Sequence, residues 1–152
     1  MKELSASAVL ALHALHLMAR KTGPVSAAEI SRASGFATAQ VKRVLERLSA
    51  AELVESRPGR GYMLARAPGE ISIRDVVEAQ GESRVPEAPC GGDFDACASR
   101  ATCILAPLCR TAKQSFQETI RSFTLMDLKD LPPSLPNCVD PKLQPSKKLE
   151  AS

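Results

Sequence analysis

Residues 25–66, VSAAEISRASGFATAQVKRVLERLSAAELVESRPGRGYMLAR, hold the pattern on which the fold turns. Ser26 suits an N-cap, Glu29 three residues later completes a capping box, and Val25 and Ile30 are spaced as a hydrophobic staple. Gly35 should end this short helix, because a residue without a Cβ takes the left-handed C-cap conformation at little cost. A further helix is expected from about 38 to 51, with Val41, Val44, Leu45 and Leu48 on one stripe at helical spacing. Residues 53–57 and 62–66 read as strands, with Pro58-Gly59-Arg60-Gly61 as the turn between them. Helix, glycine turn, amphipathic helix and hairpin, in that order, spell a helix-turn-helix followed by a wing. The order of parts is far more specific than a helix-turn-helix pair alone. The expected fold class is mostly α with a small β-hairpin, a winged helix.

Outward from that stretch, residues 4–20 (LSASAVLALHALHLMAR) form an Ala- and Leu-rich helix that must stop before Gly23-Pro24. On the other side, after Pro68-Gly69, residues 71–80 (ISIRDVVEAQ) read as a short helix capped by Ser72, with Asp75 in its first turn. Periodicity is then lost over 81–102, a stretch with Pro86, Pro89, Gly91 and Gly92 that reads as a loop. Helical spacing returns from about 102 to 122 through Ile104, Leu105, Leu108, Phe116 and Ile120. Pro107 is tolerated only if that helix starts within about one turn before it. Residues 132–152 hold five of the eleven prolines and little to bury, so a disordered tail is expected there. The organisation is thus a winged-helix domain over 1–80, a loop over 81–102, a long-helix region over 103–131 and a tail over 132–152.

A chain of 152 residues, 44% hydrophobic and 24% charged, can bury one core of modest size. Its longest apolar stretch, residues 6–19, is interrupted by His13 and His16 and is shorter than the ~20 residues of a bilayer span. With no cleavable signal pattern either, the expected location is the cytoplasm. Aromatics are 3% with no Trp, which argues against a base-stacking RNA platform. No phosphate loop, Ser/His/Asp arrangement or paired acidic site is present, so an enzyme is not expected. The net charge of +3 is unevenly spread: residues 1–65 hold nine Lys or Arg against five Asp or Glu, and residues 66–100 hold four against seven. A basic first half and an acidic middle fit a nucleic-acid module joined to something else.

Gln40, Arg43 and Arg47 recur at i, i+3 and i+7 beside the apolar stripe of the third helix, with Lys42 and Glu46 further round. Arginine bonds guanine O6 and N7 with both fork nitrogens and glutamine pairs with adenine, so this face suits major-groove readout. Ser26 and Thr38 lie near helix N-termini, where hydroxyls and amides meet phosphates. In the wing, Gly59 lets the backbone approach a duplex, and Arg57 and Arg60 can reach a minor groove. Glu46 and Glu55 would repel phosphate and should face away or read a cytosine amino group. The long helix needs a surface to cover. Part can pack on the first helix, and the rest is best buried against a second copy, giving a homodimer that reads a palindromic double-stranded operator.

Cys90, Cys97, Cys103 and Cys109 follow one another as C-x6-C-x5-C-x5-C, and Cys138 stands apart. Structural disulfides do not suit a cytoplasmic chain, and the tight C-x2-C pairs of zinc ribbons are absent. Wide spacing on a glycine-containing loop suits thiolates converging on an iron–sulfur cluster, with a thiol redox switch or no ligand as the alternatives.

The wing run Gly59-Arg60-Gly61-Tyr62, the run Gly69-Glu70-Ile71-Ser72-Ile73-Arg74-Asp75-Val76-Val77 and three cysteines before a long helix resemble the Rrf family of bacterial regulators, of the IscR/NsrR type. The resemblance covers about residues 1–130. It implies a homodimeric winged-helix repressor or activator whose DNA affinity depends on a 2Fe–2S or 4Fe–4S cluster sensing iron, redox state or nitric oxide. The family's cysteine triad falls on Cys90, Cys97 and Cys103. The wing tip here is shorter than the family's. Ala106 stands where IscR-like members place a histidine ligand, and Ser7 and Ala8 where NsrR-like members place a carboxylate. The fourth ligand stays open among Cys109, His13, His16, water and an outside thiol. The rival expectation is a cluster-free regulator of the same fold that uses its thiols directly.

Overall fold

A computed structural model describes residues 4–81 and 101–130. The expected loop with Cys90 and Cys97, and the expected tail with Cys138, lie outside the described residues. The chain runs α1 (Ala6–Arg20), α2 (Ala27–Ser34), α3 (Thr38–Ala50), β1 (Val54–Arg57), β2 (Gly61–Leu64), a 3-10 turn (Pro68–Glu70), α4 (Ile73–Ala79), α5 (Ala106–Ser122) and α6 (Leu125–Leu128). This is the mostly helical fold with one small hairpin that the sequence predicts.

Local chemistry sets most boundaries. Ser5 caps α1, its hydroxyl accepting from the Ala8 N–H at 3.2 Å. Ser26 caps α2 in the same way, accepting from the Glu29 N–H at 3.2 Å. The second half of the expected capping box is not made, because the Glu29 carboxylate pairs with the Lys21 ammonium instead. That hydrogen bond is the main reason the Glu29 pKa is lowered. Gly35 is left-handed at φ 76° and ends α2 as expected. The stripe Val41, Val44, Leu45 and Leu48 is buried, and it meets Leu10, Leu15, Ile30 and Leu53 in the main core.

The hairpin pairs Val54 with Leu64 through Arg57 with Gly61. It is held down by an isolated antiparallel bridge: the N–H of Val25 donates to the Tyr62 carbonyl, and that of Tyr62 to the Val25 carbonyl, both at 2.8 Å. At this crossing Gly61 has φ 115°, and a Cβ there would stand 2.5 Å from the Val25 carbonyl oxygen.

After the 3-10 turn, α4 starts from a complete capping box. The Ser72 hydroxyl accepts from the Asp75 N–H at 3.1 Å, and the Asp75 carboxylate accepts from the Ser72 N–H at 3.0 Å. The long helix begins at Ala106, later than about 102, because Pro107 can sit only in a first turn. Residues 101–105 form turns instead, so Cys103 precedes the helix. Of the expected stripe, Ile104 and Leu108 are exposed, and Phe116 and Ile120 are half-buried. The helix lies along α4, where Ile120 packs on a cluster of Ala8, Ile73 and Val77, and Leu12 of α1 packs on the same cluster. The chain then doubles back. Ile73 N–H donates to the Phe123 carbonyl and Leu125 N–H to the Ile71 carbonyl, each at 2.9 Å, which drives Leu125 fully into the core. Among the described residues no helix is long and apolar enough to cross a membrane.

Candidate nucleic-acid interface

The core stripe of α3 fixes which side of that helix faces out. Gln40, Lys42, Arg43 and Glu46 are exposed there, and the side chains of Gln40, Lys42 and Arg43 have no partner among the described residues. Arg47 is exposed too, but its guanidinium donates to the Gln80 carbonyl at 3.2 Å. Thr38 braces the turn: its hydroxyl donates to Ser31 Oγ at 3.2 Å, and Ser31 donates to the Phe36 carbonyl at 2.6 Å. The first turn of α3 has no side-chain cap, since Ala37 holds that position, and its leading amides remain open to an anion. Ser26 is exposed, with its hydroxyl committed to capping α2.

In the wing, Arg57 pairs with Glu55 at 2.9 Å, which neutralises the carboxylate expected to repel phosphate. The tip is closed by the Arg60 N–H on the Arg57 carbonyl at 2.9 Å, and the Arg60 side chain is exposed. Gly59 is left-handed at φ 71° with open space about it, so nothing crowds the approach to the tip.

The four cysteines are divided by the described boundary. Cys103 is half-buried in the turn before α5, Cys109 is buried in that helix's first turns, and Cys90 and Cys97 lie outside the described residues. The Ala106 N–H donates to the Cys103 carbonyl at 3.1 Å, which binds the cysteine turn to the helix start. Among the described residues no group of three or more His, Cys, Asp or Glu side chains is placed to hold a metal. Soft thiol donors at the head of α5 do match the chemistry of an iron–sulfur cluster. His13 and His16 are both buried on α1. His13 Nε2 has no hydrogen-bond partner among the described residues, and burial, with a lesser push from His16, holds its pKa below the ordinary value.

Sequence reading did not find the tie between Arg47 and Gln80, which are 33 residues apart. Gly81, left-handed at φ 78°, marks the end of α4, but no local pattern says which side chain meets that end.

The family model for Rrf2, an iron-dependent transcriptional regulator, matches residues 4–130. A protein described as an HTH-type transcriptional regulator, ORF2 of Azotobacter vinelandii, is 33% identical over 121 residues, covering 78% of this chain and 69% of its own. The HTH-type transcriptional regulator IscR of Sodalis glossinidius is 33% identical over 108 residues, covering 70% of this chain and 64% of its own. The chain therefore spans about two thirds of the length of these relatives. Among solved structures, CymR, the global cysteine regulator of B. subtilis, superposes with a TM-score of 0.68 over 85% of this chain and 97% of that one. At 23% identity that likeness speaks for the fold alone. T. potens IscR superposes with a TM-score of 0.62 at 26% identity, over 84% of this chain and 85% of that one. A match along nearly all of the described chain, on the winged-helix fold just built, means that this protein belongs to the Rrf2 family and is a transcriptional regulator rather than an enzyme.

Proposed function

We propose that this regulator binds a palindromic duplex as a homodimer, and that an iron–sulfur cluster held by its cysteine region sets the affinity. The observation that carries the DNA reading is the outward face of α3, where Gln40, Lys42 and Arg43 are exposed, with no partner among the described residues, beside an uncapped helix start. In this reading Arg43 and Gln40 meet base edges, Lys42 and the amides near Thr38 meet phosphates, and Ser26 stands at the start of α2 beside the backbone. Arg60, with Gly59 leaving the tip uncrowded, enters the minor groove, and Arg57 supports it from the strand. The second copy is supported by the outer side of the long-helix region, where Ile104 is 92% and Leu108 56% exposed. Apolar side chains that far into water are best explained by a partner that covers them.

Cys90, Cys97 and Cys103 would hold the cluster, with Cys109 the nearest fourth thiol and His13 and His16 buried on α1. When bound, a 2Fe–2S or 4Fe–4S cluster supplies a charge and ligation that change with iron supply, oxidation or nitric oxide. This chain's part is mechanical. Cys103 and Cys109 bracket the start of α5, α5 lies on α4, and α4 touches α3. A bias of ~1–3 kcal/mol between two arrangements of that stack is a useful switch.

Oxygen-free protein should show visible absorption with iron and sulfide, and Cys103→Ala should abolish the colour. Arg43→Ala and Arg60→Ala should keep the colour and weaken operator binding by ~1–3 kcal/mol each, read from salt-controlled titrations. The reverse pattern sinks the assignment. A second reading, a cluster-free thiol switch, is favoured by Cys103 itself, whose partly exposed position is within reach of an oxidant. Free-thiol titration against iron analysis separates the two.

A further inference from the structure

We infer that Arg47 is a positioning residue, which fixes α3 against the C-terminal end of α4 and so sets the angle at which the reading face is presented. The inference rests on the DNA-binding reading above and moves Arg47 from the readers to the frame that aims them.

Arg47 lies in the last turn of α3, one turn beyond Arg43. Its guanidinium reaches the Gln80 carbonyl at 3.2 Å in a half-buried setting. Gln80 is the C-cap of α4, a helix whose last turn contains no basic residue of its own. Terminal carbonyls of a helix lack partners within it, so an outside donor is what satisfies this one. Gly81, at φ 78°, turns the chain away immediately, its N–H on the Glu78 carbonyl at 2.9 Å. The position of that carbonyl is therefore well defined.

The Gln80 side chain adds a second observation. It is 4% exposed, and both its Oε1 and Nε2 lack a hydrogen-bond partner among the described residues. Among the described residues the amide has no polar anchor, so the polar tie shown at the end of α4 is the one from Arg47 to its carbonyl. The opposite connection of α4 is to α5, through Ile73, Val77 and Ile120. A displacement of α5 thus reaches α3 through α4, and Arg47 is the hydrogen bond at that junction. Because Arg43 and Arg47 are four residues apart on one helix, fixing the second fixes the direction of the first.

The test uses the full chain with Arg47→Met, which keeps the length and apolar stem and removes the donor. Hydrogen exchange of the free protein should be roughly three- to tenfold faster over residues 73–81 in Arg47→Met, as loss of one hydrogen bond at an exposed side chain implies, and unchanged in Arg43→Met. Operator affinity of Arg47→Met should fall roughly tenfold while the slope of log affinity against log salt stays that of the wild type. Gly81→Ala, which strains the same carbonyl through the backbone, should lower affinity in the wild type and add little in Arg47→Met. Unchanged exchange with a salt slope reduced by about one would make Arg47 a phosphate contact and overturn the inference. Faster exchange with unaltered operator affinity would make it a helix cap only, which also overturns it. A wild-type chain that binds no duplex removes the DNA reading and this role with it, and the exchange arm still tells whether the tie exists.

Discussion

At Gly61 two backbones cross so closely that the side-chain position itself is occupied: a Cβ would lie 2.5 Å from the Val25 carbonyl oxygen, on a residue with φ 115°. Gly61→Ala should destabilise the fold by about 2–3 kcal/mol, since both strain and clash must be relieved by lifting the wing. Gly59→Ala should cost only about 1 kcal/mol, because that residue is left-handed but surrounded by open space. Thermal unfolding of the two variants side by side checks the contrast, and equal losses would deny the close crossing its role. His13 makes a different residue-scale prediction. Its pKa is lowered from 6.5, first by burial and then by His16. The folded chain then binds fewer protons than the unfolded chain just below that value. The stabilisation is complete above the unfolded pKa and is lost as pH falls through the depressed folded one. The melting temperature should therefore drop on acidification from about pH 7.5 to about pH 5, and His13→Leu should flatten that drop. A slope that survives the substitution would place its origin elsewhere. Glycine-rich composition announced a turn at 58–61, but only the crossing with Val25 distinguishes the indispensable glycine from the convenient one.

Capping separates the helices of this fold into those closed locally and those closed by the tertiary structure. At α4, Ser72 and Asp75 close each other, so Ser72→Ala should cost about 1 kcal/mol in a denaturant or thermal titration. An unchanged stability would mean that solvent replaces the cap. At α2 the same sequence grammar gave half a box, because Lys21 outcompetes the Ser26 N–H for the Glu29 carboxylate. A lysine eight residues upstream lies outside the range of any capping rule. At α5, Pro107 announced a helix start nearby and the chain obeys it at Ala106, four residues later than the apolar spacing suggested. Spacing put Ile104 and Leu108 on one apolar stripe with Phe116 and Ile120 but did not say which of them the protomer itself would cover, and it leaves the first two exposed. Periodicity reports that a helix has an apolar side, and the partner it meets decides which part of that side is covered. The short helix α6 escaped the sequence reading altogether. Thr124 and Asp127 box it, and the lowered pKa of Asp127 follows chiefly from the Thr124 N–H it accepts. Four residues are too few to register as a period.

Across the whole molecule, the exposed Ile104 and Leu108 mark the place where assembly is predicted. Leu108→Glu should leave the protomer folded, since the side chain is 56% exposed, and should shift sedimentation from dimer towards monomer. Binding to a palindromic site should weaken by at least tenfold with it, because two half-sites would no longer be engaged together. A dimer that persists would take the outer side of the long-helix region out of the interface. By itself the sequence determined the winged-helix order, the inward face of α3 and the thiol character of the segment before α5. All three are written in spacing and residue type within a few turns of chain, where local sterics and hydrophobic periodicity act. The tertiary structure alone decided that Val25 pins the wing, that Leu125 returns to the core, and that Arg47 is tied to the end of α4. Those are meetings between residues 33 or more positions apart. They are chosen by which buried polar group needs a partner and which cavity needs filling once the helices have packed, and no window along the chain contains both sides of such a choice.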